Sequence, residues 1–359
     1  MDTRLESLVH FVRGKNITAA EMVFGNVPVI SAGLEPSGYH NSFNVLGPSI
    51  TVSASGANAG YVLYHKDKFW AADCNYADHS ENMLFAYYYM KYIQPFITNL
   101  QIGSAQPHVY AKNLNKLKVV LPPRNKYSQI ATVLSRYDEL IENNNKRITL
   151  LEDIAQEIYR EWFVRFRFPG YKNAVFDNGT PKGWVASSAD KNTKPKNWKF
   201  ASLSNIGNFV RGKNITAAEM VWGNVPVISA GLKPSGYHNK QNVFGQCITI
   251  SASGANAGYL SYHLSDIWAA DCSFCQSENI WFIYNSLKFL QPVISNLQCG
   301  SAQPHVYPKD INKLCTIIPD EKTIKQYCER VDSIYDQIKV LKQKMIIWLR
   351  NVICFCLDS

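Results

Sequence analysis

No apolar run in this chain approaches the roughly 20 residues that a membrane-spanning helix requires, so a soluble protein is expected. The opening residues, MDTRLESLVHFVRGKN, hold neither an apolar stretch nor a small-residue cleavage site. They are not read as a secretory signal, and the cytoplasm is the expected location. Catalytic signatures are missing as well. There is no Asn/Asp/Ser-Pro-Pro-aromatic motif of adenine methylation, no Walker A loop, no HExxH, no GxSxG and no Glu-x-Lys element of the common nuclease site. The glycine-rich stretch SGANAG at 55–60 lacks the spacing of a dinucleotide loop, and no charged triad has metal-ligand spacing. Nine cysteines are present, yet the Cys-x-x-Cys pair Cys272 and Cys275 corresponds, in an internal repeat, to Cys74 and Ala77. Reduced structural thiols follow, with no metal and no cofactor expected.

What the chain does have is the same module twice. Residues 13–34 read RGKNITAAEMVFGNVPVISAGL, and residues 211–232 differ from them only in Trp222 for Phe24. The offset of 198 holds as far as Tyr76 against Phe274, with 48 of 64 positions identical; it then becomes 197 and runs through GSAQPHVY at 103–110 and 300–307. A period this long exceeds solenoid units of roughly 20 to 50 residues, so each copy should be a domain with its own core. Such a pair should act on something that is itself doubled.

A net charge of +9 with pI near 9.0 suits an anionic partner. The polar residues common to both copies are donors and acceptors of the kind that hold or read nucleic acid. They are Arg13, Lys15, Asn16, Tyr39, His40, Asn41, Ser53, Ser55, Asn58, Gln106 and His108, with counterparts Arg211, Lys213, Asn214, Tyr237, His238, Asn239, Ser251, Ser253, Asn256, Gln303 and His305. Arginine and lysine suit phosphates and guanine edges; asparagine and glutamine suit adenine edges. Structural readings stand beside these. Asn58 sits where a turn could need a left-handed backbone, His108 could be a hydrogen-bonded structural residue, and the lysines could be solvated surface. Residues 39–41, after Ser37 and Gly38, read as a loop tip presenting three polar side chains. Asp73, in WAADC, reads as a turn or cap rather than a catalytic acid.

Each module also carries a long helix. Ile130, Leu134, Tyr137, Ile141, Asn144, Ile148, Leu151, Ala155, Ile158 and Trp162 keep an unbroken 4,3,4,3 spacing over 128–163. Tyr327, Val331, Ile334, Ile338, Leu341, Met345, Trp348 and Val352 repeat it 197 residues later. Both are coiled-coil seams. Helices of 30 to 36 residues would be about 45 to 55 Å long, so they are expected to pack on each other. Asn144, opposite Leu341 in the repeat, either fixes register or occupies a solvated gap. Inside each module, short β-rich runs (27–31, 49–53, 60–65) precede a helical segment at 81–100 and an apolar run at 117–121. The stretch 170–199 is rich in Gly, Pro, Asn and Lys and reads as a surface linker.

The expected fold class is therefore α+β: two tandem recognition domains joined by a pair of long antiparallel coiled-coil helices with pseudo-two-fold symmetry. The expected boundaries are 1–125 for the first domain, 126–168 for the central helix, 169–199 for the linker, 200–322 for the second domain and 323–359 for the C-terminal helix.

Tandem modules that end in GSAQPH, leave through Leu121-Pro122-Pro123 into a long helix, close with EWFVRFRFPG at 161–170 and reopen after Pro181-x-Gly-Trp184 resemble the specificity subunit of type I DNA restriction-modification systems. The resemblance covers nearly the whole chain. Two features depart from it: module one lacks the leading Pro-x-Gly-Trp, and the second exit reads Ile318-Pro319-Asp320. The resemblance implies a non-catalytic subunit whose two domains each read half of a bipartite target in double-stranded DNA. It also implies helices that act as a ruler, and as partners two adenine methyltransferase subunits together with restriction subunits. Because the copies are so alike, a symmetric or nearly symmetric target is expected, any asymmetry arising at Ser42/Lys240, Phe43/Gln241, Leu46/Phe244 and Lys66/Leu264. The alternatives are a free-standing DNA-binding regulator and an enzyme with an unrecognised site.

Overall fold

The computed structural model describes residues 2–103, 105–178, 193–300 and 304–358; for residues 2, 178, 193 and 349–358 it describes the backbone alone. The first module runs β1 (Asp2–Arg4), β2 (Val12–Arg13), β3 (Val27–Ile30), β4 (Gly38–His40), β5 (Ser49–Ser53), β6 (Val62–His65), β7 (Trp70–Ala71) and β8 (Cys74–Ala77). Helices α1 (Met83–Tyr92), α2 (Gln94–Thr98) and α3 (Ala111–Asn115), strand β9 (Lys118–Val120) and the long helix α4 (Tyr127–Tyr159) follow. After a hairpin of β10 (Phe176–Asn178) and β11 (Thr193–Pro195), the order repeats as β12 (Lys199–Ser202), β13 (Val210–Arg211), β14 (Val225–Ile228), β15 (Gly236–His238), β16 (Cys247–Ser251), β17 (Leu260–His263), β18 (Trp268–Ala269) and β19 (Cys272–Cys275). The repeat then closes with α5 (Ile280–Phe289), α6 (Gln291–Ser295), α7 (Pro308–Asn312), β20 (Cys315–Ile318) and α8 (Glu321–Asp358).

The sheets repeat with the sequence. Strands order as β2-β8-β5-β6, β4-β3-β7 and β1-β9 in one copy and as β13-β19-β16-β17, β15-β14-β18 and β12-β20 in the other. Strand β5, with the sequence SITVS, is buried along all five residues, as is its equivalent β16, CITIS. Strands flanked on both edges and covered on both faces favour such β-branched residues.

The chain divides into two compact units, Met1–Asn143 with Met345–Ser359, and Asn144–Lys344. In the first, Leu5, Phe11, Ile50, Val52, Phe85 and Met90 form a core that Ile130 and Leu134 from the start of α4 complete. Each such side chain, moved from water, contributes roughly 1.5–3 kcal/mol. In the second unit the last turns of α4 are core: Tyr159 is fully buried, and its ring lies 5.2 to 6.2 Å from those of Phe163, Phe282, Phe289 and Tyr327. Tyr327, on the first turns of α8, donates its hydroxyl to the Ala155 carbonyl at 3.3 Å. The C-terminal end of one long helix thus meets the N-terminal end of the other. Equivalent positions in the two units also exchange chemistry. Tyr88 donates to Asp138 at 2.7 Å, whereas the residues 197 positions on are Asn285 and Tyr335, 3.1 Å apart, so hydroxyl and polar partner have traded places.

Several expectations need correction. The helical segment at 81–100 is two helices, because Pro95 lacks the N–H that would continue the first. Residues 39–41 are not a loop tip: Gly38–His40 is a strand paired to β3, so alternation exposes Tyr39 and buries His40. The left-handed turn positions belong to Gly56 and Gly60, at φ of 73° and 87°, and Asn58 is not left-handed. Within the stretch read as a linker, β10 pairs with β11, and the two compact units divide α4 between them. Helix α4 ends in a single π-turn at Arg160–Val164, well before Pro169. Asn144 is 4 % exposed with no partner for its amide nitrogen, which excludes the solvated-gap reading. Pro181 to Trp184, like Gln303, lie outside the described residues.

The described seam residues are otherwise buried or half-buried, Ile130, Leu134, Ile148, Tyr327, Val331, Ile338 and Leu341 fully so. No described helix is long and apolar enough to cross a membrane.

Candidate nucleic-acid interface

The polar residues singled out by the repeat separate into an exposed set and a buried set that carries it. Arg13, Lys15 and Asn16 are exposed on the segment leaving β2. That segment is pinned closely: Gly14 N–H donates to the Cys74 carbonyl and Lys15 N–H to the Ala71 carbonyl, both at 2.9 Å, while the Trp70 indole donates to the Lys15 carbonyl at 2.8 Å. A Cβ on Gly14 would lie 2.4 Å from the Ala72 oxygen, so only glycine lets the strand pass. The second copy repeats each contact through Gly212, Lys213 and Trp268.

Arg13 donates through Nη2 to Oδ1 of Asp73, whose Oδ2 accepts from the Ser55 hydroxyl; Arg211, Asp271 and Ser253 form the same triad. Ser55 is buried, as are Ser53, Ser251 and Ser253, so these serines support the surface rather than form it. His40 and His238 are also buried. Nδ1 of His40 accepts the Val23 N–H at 2.9 Å and its ring meets Trp70 edge-on at 5.2 Å; the His238 ring repeats both contacts. Both rings thus brace the scaffold through Nδ1. Asn44, which sequence reasoning passed over, braces the same place by donating to the Ala71 carbonyl at 3.0 Å and accepting its N–H at 2.6 Å.

Above this scaffold Tyr39, Asn41, Tyr237 and Asn239 are exposed, and the pinned loops project Phe24 at 98 % exposure and Trp222 at 89 %. An aromatic is thus left in water at the same place in both copies. The sequence signal was there: both copies keep an aromatic where they otherwise first differ. Asn58 and Asn256 are half-buried, Gln106 is exposed, and His108 and His305 are half-buried, bridged by their backbones to Ser55 and Ser253. Asn16 and Asn214 are exposed.

Burial pushes the thiol of Cys272 up to about 12 and that of Cys275 to about 11, which keeps both protonated. Among the described residues, no three His, Cys, Asp or Glu side chains gather as a metal site. A cavity of about 500 Å³ lies in the first unit between α1, β9 and α4, and is lined by apolar groups such as Phe85, Tyr89 and Ile130.

Comparison with known proteins points one way. The sequence model described as "Type I restriction modification DNA specificity domain" matches residues 1–153 and 195–346. The type I restriction enzyme MjaIX specificity subunit of Methanocaldococcus jannaschii is 25 % identical over 73 % of this chain and 64 % of its own length. The MjaVIII specificity subunit of the same organism is 22 % identical over 60 % of this chain and 51 % of its own length. The chain thus spans between half and two thirds of these curated relatives. The crystal structure of a type I restriction-modification system S subunit from M. genitalium shares the fold, with a TM-score of 0.56 at 19 % identity, covering 98 % of this chain and 95 % of that one.

Proposed function

This chain belongs to the type I restriction-modification DNA specificity family, and on that premise we propose that it reads a bipartite double-stranded DNA target for an adenine methyltransferase without catalysing anything itself. Each module reads one half of the target. The single observation that carries this reading is the repetition, contact for contact, of one exposed polar surface on one buried scaffold: Arg13, Lys15, Asn16, Tyr39 and Asn41 in the first copy, Arg211, Lys213, Asn214, Tyr237 and Asn239 in the second. Two like surfaces suit two like half-sites on opposite strands, so the target is symmetric or nearly so.

The seams of α4 and α8 pair as an antiparallel coiled coil along their length, related by a pseudo-two-fold axis, and act as the ruler between half-sites. The contact of Tyr327 with Ala155 supports that direction of pairing. Two methyltransferase subunits and the restriction subunits are the partners. Differences between the half-sites originate around residues 42–46 and 66; a Cβ on Gly47 would lie 2.8 Å from the Lys66 carbonyl oxygen, so the two divergent stretches run side by side.

The test is to co-express the chain with the methyltransferase of its system and map methylated adenines in the host DNA. An interrupted palindrome, or nearly one, is expected. Methylation with no motif, or a motif with unrelated halves, overturns the reading or its symmetry respectively.

A further inference from the structure

The triad of Arg13, Asp73 and Ser55, with its copy Arg211, Asp271 and Ser253, is more specific than a basic surface. We propose that each triad is a buttressed arginine that reads the major-groove edge of a guanine, one in each half-site, and that Asp73 and Asp271 are its positioning residues. This rests on the reading of the modules as DNA readers.

The argument is one of charge and geometry. The Arg13 side chain is 46 % exposed and that of Asp73 30 %, with 39 % and 27 % in the copy, so the guanidinium faces solvent while its carboxylate partner stands beside it. An arginine meant for phosphate gains from being alone, because an adjacent carboxylate repels the phosphate and cancels the attraction. A base edge is neutral and meets no such repulsion. With Nη2 engaged by Asp73, the guanidinium still has donors free to form a fork, and guanine offers two acceptors, O6 and N7, that match a fork. Adenine places a donor beside its N7 and would oppose one arm of the fork; thymine offers a single acceptor.

The arginine is also held before it binds. Its backbone is fixed by the Gly14 and Lys15 hydrogen bonds, its guanidinium by Asp73, and Asp73 in turn by the buried Ser55 hydroxyl. Preorganisation of this kind removes the ordering cost of a long side chain and favours discrimination. A plain surface ion pair would not need a buried serine to aim the carboxylate.

The test uses the full chain co-purified with its methyltransferase and a randomised duplex pool. The wild type selects a motif with a guanine in each half. Arg13→Ala loses roughly 5- to 150-fold of the preference for guanine in one half only, Arg211→Ala in the other half only. Both leave the slope of log K against log salt nearly unchanged, whereas Lys15→Ala, at an exposed lysine proposed to contact phosphate, lowers it by about 0.9. Asp73→Asn, which keeps the arginine but not its buttress, loses the same guanine preference. Arg13→Lys, which keeps the ion pair but not the fork, fails to restore the preference. Preferences unchanged at every position in Arg13→Ala, or a full rescue by lysine, would make the triad a structural pin and overturn the proposal while leaving DNA reading intact. If the wild type selects no motif, the DNA-reading function falls and this inference with it.

Discussion

Replacing Tyr159 by alanine tests whether the end of α4 belongs to the core of the second unit, and the structure supplies an internal control for the size of the effect. Tyr159 is wholly buried against Phe163, Phe282, Phe289 and Tyr327. The residues that correspond to Phe282, Phe289 and Tyr327 in the first unit are Phe85, Tyr92 and Ile130, and they line its cavity of about 500 Å³. Tyr159 therefore fills in the second unit a space that the described residues of the first unit line as a cavity. Removing an aromatic from such a site costs about 3–5 kcal/mol, the transfer of the ring plus the cavity left behind. For a unit of this size that is a fall in Tm of about 6–20 °C. The Tyr159 hydroxyl contributes little of this. It lies among the hydroxyls of Ser286 and Thr316, all three buried and none reaching hydrogen-bond geometry, so Tyr159→Phe should fall within about 1 kcal/mol of wild type and could be more stable. Urea and thermal denaturation of the full chain measure both variants. A loss below about 1 kcal/mol for Tyr159→Ala, or a phenylalanine variant as damaged as the alanine one, would refute the placement of α4 in that core.

Two further outcomes follow from the same structure. Burial pushes His65 and His263 down to about 4 from an ordinary value near 6.5, with each Nε2 2.8 Å from a threonine hydroxyl, Thr51 or Thr249. Both rings are neutral in the folded protein, so as pH falls from 6.5 to 4 the unfolded chain takes up protons that the folded one refuses; the loss is on the order of 3 kcal/mol per histidine and complete below pH 4. Melting curves across that window should flatten in His65→Gln and His263→Gln relative to wild type, and an unaltered slope would contradict the burial. The ruler is tested by inserting one heptad after Ile148 and another after Met345, about 10 Å of helix. Mapped methylation should move to a spacer about three base pairs longer or disappear, and an unchanged spacer would show that the helices do not measure the DNA.

The long-range organisation was legible in the sequence because it rests on signals that survive without a structure: an internal repeat and a seam whose period is fixed by helix geometry. Ile130, Leu134, Tyr327 and Val331 are buried because a 4,3 spacing leaves them no other place. The site was legible only as a set of residue types. His40, Ser53 and Ser55 look like readers on paper since all three carry hydrogen-bonding groups and occur in both copies; what separates them from Arg13, Tyr39 and Asn41 is strand alternation and the crossing of β2 over Ala71 and Ala72, neither of which composition encodes. The triad partner of Arg13 was not legible at all. Read locally, an aspartate after two alanines is a turn residue, and only the fold brings it between Arg13, 60 residues before it, and Ser55, 18 before it. Identity between copies constrains scaffold and reader alike, because a surface can be repeated only if its supports are. Phe24, which the second copy replaces by the larger Trp222, is almost fully exposed in one copy, as is its replacement in the other. A size change at constant character does not by itself mark a surface, because Val52/Ile250, Val62/Leu260 and Phe69/Ile267 make such changes inside the core; that Phe24 and Trp222 stand in water is supplied by the fold alone.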